Sequence, residues 1–206
     1  MFARSTTVLG RPQSFDAGIT YLRDRVMPAV LGLEGYVGLS MLADHDTGRC
    51  IITSAWTNAE TMHASALALR AMRERAASIL GGHADVEEWE IAVLHRACRT
   101  ADGACTRVAW SWTTPERVDE VLDTCRTEVL PQLEALPGFC SVSVLVGREV
   151  GRLVTAVSYE NRKSLEASRE RAAAMRAAVL GSTDVRITEV AEFDLVLAHL
   201  RVPETV

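Results

Sequence analysis

One stretch occurs twice in this chain of 206 residues, and the two copies keep a constant spacing. The first runs from Gly35 through the turn at Asp46, Thr47 and Gly48 to Trp56. The second runs from Gly138 through Gly151 to Tyr159. Gly35 and Gly138, Gly48 and Gly151, and Trp56 and Tyr159 are each 103 residues apart. An offset held through a strand, a turn and a second strand marks a duplication. A duplication constrains the fold more than any local propensity does.

The first copy reads in order as follows. Residues 4–9 are β-prone and stop at Gly10, Arg11 and Pro12. Ser14 is placed to cap a helix whose inner face is Ile19, Leu22, Val26 and Val30. Pro28 sits within that pattern and should kink or end it, since it lacks an N–H and clashes with the preceding turn. The hairpin follows, its turn built by Asp46 and Gly48. Asn58 caps a second helix with the stripe Met62, Ser65, Leu69, Met72, Ala76 and Ile79, and Gly81 and Gly82 end it. Residues 86–94 alternate as a fourth strand with one wet face.

The second copy repeats this. Residues 106–112 form a strand, and Thr114 with Pro115 starts a helix. Val118, Leu122, Cys125, Val129 and Leu133 make its stripe, and Pro131 repeats Pro28. Asn161 repeats Asn58 as a cap. Leu165, Ser168, Ala172, Met175 and Val179 repeat the second stripe, Arg176 falls on Arg73, and Gly181 is expected to close the helix. The register then slips to 104, so that residues 192–199 match 88–95, with Phe193 on Trp89 and His199 on His95.

The order β-α-β-β-α-β, twice, specifies an α+β protein made of two ferredoxin-like repeats. The repeats are 1–98 and 105–206, with a short polar linker at 99–104. Each such unit leaves one sheet face bare, and a bare apolar face needs a partner. Fusion makes that partner intramolecular. The expectation is two repeats packing sheet-to-sheet in one body, and a further homodimer is compatible with it.

Composition narrows the partners. The net charge is −5 and no basic tract occurs, which argues against nucleic acid. No apolar run is long enough to span a membrane, and the start lacks a secretory leader. Five cysteines without a CxxC spacing read as reduced, mostly buried thiols in a cytoplasmic protein.

The repeat order, the Gly–Arg turns (Gly48 and Arg49, Gly151 and Arg152) and the run Trp56, Asn58, Glu60, His63 resemble the dimeric α+β barrel superfamily. Within it they resemble the antibiotic-biosynthesis-monooxygenase-like domains. Tyr159, Asn161, Glu166 and Ser168 look like the same segment in a diverged copy. The resemblance covers nearly the whole chain, twice. It implies a substrate pocket between the sheet and the helices of each repeat, and, among other activities, oxygenase chemistry that needs no cofactor.

Carried over by position, the pocket residues are Trp56 and His63 in the first copy and Tyr159 and Glu166 in the second, with Met72 and Met175 on the inner helix faces. A cofactor-independent monooxygenase must hold an electron-rich aromatic, take a proton from it and shelter the anion. Trp56 for stacking and His63 as base are suitable types, which points to the first repeat. The implied ligand is a small apolar or aromatic molecule. Against this stands the plain structural account, in which Trp56 is a core aromatic and His63 a helix-surface residue, and the protein is a non-catalytic carrier or scaffold. Haem-degrading relatives use a first-strand Asn and a helix His, and this chain has neither at those places.

Other features read as structural. Asp44, His45 and Asp46 look like metal ligands but are adjacent turn residues, so no metal is expected. Arg49 and Arg152 read as hairpin charges in solvent, and His95 and His199 as strand-end groups. The charged run from Glu160 to Arg176 reads as a solvated helix face.

Overall fold

The computed structural model describes residues 1–98 and 102–200. Half of the expected linker, 99–101, lies outside them. Residues Met1–Trp89 form one compact unit that also takes in the last strand from Phe193, and Glu90–Glu192 form the other.

In the first unit, β1 (Phe2–Leu9) pairs antiparallel with β3 (Arg49–Trp56), and β3 with β2 (Tyr36–Ala43). The hairpin turn needs glycine: Gly48 has φ +79°, and a Cβ there would strike the Gly10 carbonyl oxygen. Asn58 caps α3 (Ala59–Leu80) by accepting from the Thr61 N–H at 2.8 Å, and Gly81 ends it in the left-handed region. Asp44 spends its carboxylate inside the turn, accepting from the Asp46 and Thr47 N–H groups at 3.0 and 3.3 Å.

The first helix differs from expectation in two ways. Ser14 makes no side-chain cap; Pro12 instead opens a 3-10 turn (Pro12–Ser14) ahead of α1 (Phe15–Tyr21). Pro28 does not end the helix. The chain widens into a π turn at Leu22–Val26 and then continues as α2 (Met27–Leu31), with Pro28 its second residue. The wider turn is the relief for a residue that cannot donate and whose ring crowds the turn before it. The strand β4 (Asp85–Arg96) follows.

The second unit repeats these solutions. After β5 (Cys105–Trp112), Pro115 opens a 3-10 turn and Thr114 makes no side-chain cap. Helix α4 (Val118–Thr124) widens into a π turn at Cys125–Val129 before α5 (Leu130–Glu134), which carries Pro131. The hairpin is β6 (Phe139–Gly147) and β7 (Arg152–Tyr159). Asn161 accepts from the Ser164 N–H at 2.9 Å. The second long helix is broken at Ser168 into α6 (Arg162–Ala167) and α7 (Arg169–Ser182), which runs past Gly181 to a C-cap at Thr183. Gly181 therefore does not close it. The last strand is β8 (Arg186–Leu200).

The hydrogen-bonded strand order is closed, β1-β3-β2-β8-β5-β7-β6-β4, an eight-stranded barrel. Strand β4 pairs with β6 from Glu90, and the end of β8 pairs with β2 from Ala43↔Asp194 to Gly38↔Leu200. Two hairpin charges are not free in solvent: Arg49 lies over the Phe193 ring at 5.2 Å and Arg152 over Trp112 at 5.3 Å. His95 stands 2.7 Å from Glu134. Cys98 and Cys140 form a disulfide, with Cα atoms 4.8 Å apart, so the expectation of five reduced thiols does not hold. Among the described residues, no helix is long and apolar enough to cross a membrane.

Among the described residues, a large core cluster of the first unit includes Phe15, Leu22, Met41, Trp56, Met62 and Leu80. Buried residues of the second sort into separate clusters, one around Leu122, Val144 and Leu153, another around Leu133, Phe139, Tyr159 and Leu165.

Candidate functional site

Each repeat carries a buried arginine on its first strand. Arg4 donates to Glu88 Oε1 at 3.0 and 2.8 Å, to Ser65 Oγ at 3.0 Å and to the Met62 carbonyl at 2.8 Å. Arg107 donates to Glu192 Oε1 at 3.1 and 2.8 Å, to Ser168 Oγ at 2.9 Å and to the Leu165 carbonyl at 2.8 Å. Burial works to raise the Glu192 pKa, but hydrogen bonds from Arg107 and then Arg169 outweigh it, and the value falls below the ordinary range. Glu88 is shifted the same way, with Arg4 and His63 as the opposing donors. These clusters tie strand, helix and closing strand of each repeat together.

Beside each cluster is a cavity between helices and sheet. The first measures about 40 Å³ and the second about 120 Å³. Aligned positions explain the difference. Leu22 and Leu69 line the first; Cys125 and Ala172, each 103 residues on, line the second. Phe15 and Met41 in the first core become Val118 and Val144. Large side chains fill one copy and small ones leave the other open. In both repeats the π turn faces the space, through Leu22 and Val26 in one and Cys125 and Val129 in the other.

The expected catalytic pair is not at either cavity. Trp56 is fully buried, edge-on to Tyr36 at 5.9 Å, and its Nε1 donates to Ser54 Oγ at 3.1 Å. His63 is 61 % exposed, and its Nε2 lies 2.8 Å from Glu88 Oε2. Standing one residue past the inner stripe, it points outward. Glu166 is exposed as well. Met72 lines the first cavity, and Tyr159 and Met175 the second.

Sequence reasoning passed over Arg176. Read as part of a solvated face, it is half-buried and lines the second cavity. Burial, and then the Arg107 charge, lower its pKa. Cys125 lines the same wall, its thiol pushed up to about 11 by burial. The signal that could have located this site was present in the repeat register: the pairs Leu69/Ala172 and Leu22/Cys125 differ in volume, not in polarity pattern.

No family model matches the chain. It is 44 % identical to the protein Rv2557 of Mycobacterium tuberculosis over 206 residues, covering all of this chain and 92 % of that one. The chain belongs to the same family as Rv2557. Among solved structures, an anthrone oxidase-like protein aligns with a TM-score of 0.66 at 16 % identity, over 99 % of this chain and 94 % of the other. A ferredoxin-fold protein of Listeria monocytogenes related to antibiotic biosynthesis monooxygenases aligns with a TM-score of 0.53 at 8 % identity, over 94 % of each chain. The fold of this Rv2557 relative is thus the dimeric α+β barrel of the antibiotic-biosynthesis-monooxygenase-like proteins.

Proposed function

We propose that the protein binds a small apolar or aromatic molecule, and that it does so in the second repeat. The observation that carries this reading is the exchange of Leu22 and Leu69 for Cys125 and Ala172, which opens a cavity of about 120 Å³ beside Tyr159 and Met175. Leaving such a space costs stability, on the order of 2–5 kcal/mol for a leucine reduced to alanine in a core. A bound ligand offsets that cost. The size is near that of an engineered cavity of about 150 Å³ that takes up benzene.

Binding is favoured over cofactor-independent oxidation as the minimal reading. Among the described residues that line the second cavity there is no His, Asp or Glu to act as general base. His63, the candidate base, belongs to the other repeat and lies on the surface. Oxygenase activity remains the second reading because the fold is shared with an anthrone oxidase-like protein.

One pair of variants tests both. Native mass spectrometry of the protein from cells should show a retained small molecule in wild type that is lost in Ala172→Leu. Aerobic anthrone oxidation by wild type, Ala172→Leu and His63→Ala then separates the readings. Oxidation lost in Ala172→Leu but kept in His63→Ala places chemistry in the second cavity. Loss in His63→Ala alone, with the ligand still bound, overturns the assignment to that repeat.

A further inference from the structure

Two guanidinium groups border the second cavity, and their situations differ. Arg107 is engaged by Glu192, Ser168 and the Leu165 carbonyl. Arg176 lines the same wall, yet among the described residues no hydrogen bond or ion pair holds it. Its counterpart Arg73 donates through Nη2 to the Ala66 carbonyl at 3.2 Å, while its Nη1 is buried without a hydrogen bond beside the smaller cavity. A half-buried guanidinium at the wall of an apolar chamber keeps donors available to an anion that enters it. Burial and then the Arg107 charge lower the Arg176 pKa, and Tyr159 and Glu192 oppose them without restoring it.

A second polar group is also unspent. In the first repeat the Trp56 indole donates to Ser54. At the matching positions stand Tyr159 and Val157, so the serine partner is gone. Among the described residues nothing hydrogen-bonds the Tyr159 hydroxyl, while its ring lies 5.7 Å from the Arg107 guanidinium carbon. The remaining wall is largely apolar, with Val121, Leu122, Cys125, Ala172 and Met175 among its members.

We infer that the ligand is a small organic anion. It carries a carboxylate, phenolate or enolate on an apolar body of about one ring, with its charge held by Arg176 and the Tyr159 hydroxyl and its body in the chamber. An arginine fork suits a two-oxygen anion, and a desolvated site strengthens the contact. This inference rests on the second-repeat binding reading above.

The test uses the full chain and two probes of similar size, 4-fluorobenzoate and 4-fluorotoluene, titrated by fluorine NMR. Wild type is expected to bind both. Arg176→Gln should weaken 4-fluorobenzoate about tenfold or more, as expected for a lost charge-assisted bond, and leave 4-fluorotoluene unchanged. Arg176→Lys should recover part of the loss. Tyr159→Phe serves as an independent variant, with a smaller loss for the acid alone, should Arg176→Gln fail to fold. If 4-fluorotoluene binds and 4-fluorobenzoate does not, or if the acid binds Arg176→Gln as well as wild type, the anion inference is overturned while the cavity reading stands. If neither probe binds wild type, both are overturned.

Discussion

Leu69 and Ala172 occupy one helical position a repeat apart, and the copy with alanine is the one with the larger cavity. The exchange makes the two halves unequal on a helix that is continuous in the first repeat and broken at Ser168 in the second.

Filling the gap should therefore stabilise. Ala172→Leu is expected to raise the urea midpoint in the absence of ligand, provided the leucine adopts the rotamer that Leu69 uses. Leu69→Ala should cost about 2–5 kcal/mol in the packed first repeat. Urea unfolding of both variants measures this, and equal effects of like sign would contradict the packing account.

The buried arginines should resist loss of their carboxylates unequally. Glu192 is 22 % exposed and Glu88 39 %. Glu192→Gln strands the buried Arg107 and should cost on the order of 3 kcal/mol. Glu88→Gln should cost less, because water screens that pair more. Chemical denaturation at neutral pH compares the two.

Acid should act through the same groups. Both carboxylates have folded pKa values below the ordinary 4.5. Their contribution is thus complete above the unfolded value and is lost as pH falls through the folded one. Stability should be flat from neutrality to about pH 5 and decline below it. In Glu192→Gln the decline should be shallower, as read from urea midpoints across pH.

Thiol counting checks the disulfide. Protein denatured without reductant should titrate three thiols, Cys50, Cys105 and Cys125, and five after reduction. The bridge closes a separation of 42 residues, so Cys98→Ser should lower stability by about 2–4 kcal/mol under oxidising conditions.

What the sequence made legible followed from the repeat. The offset of 103 located both hairpins and both asparagine caps, because turns and caps depend on a few local residues whose chemistry is visible in order. The π turns were not visible. Pro28 and Pro131 announce a disturbed helix, and only the surrounding packing makes widening cheaper than ending. His63 lies outside the first cavity for angular reasons: a single residue beyond Met62 turns the side chain through about a quarter of the helix circumference. Arg176 was obscured by its charged neighbours Arg169, Glu170 and Arg171, which are exposed where it is half-buried.

The exchange of strand ends between the two units has a practical outcome for anyone dissecting the protein. Because β2 takes its second neighbour from the far end of the polypeptide, at Asp194 to Leu200, a fragment stopped at the midpoint exposes residues 38–43 as a raw sheet margin. Such margins recruit other chains. Proteolysis or truncation at the junction should yield self-associating material, and each half is best studied with its missing strand end supplied in trans or with the chain left whole.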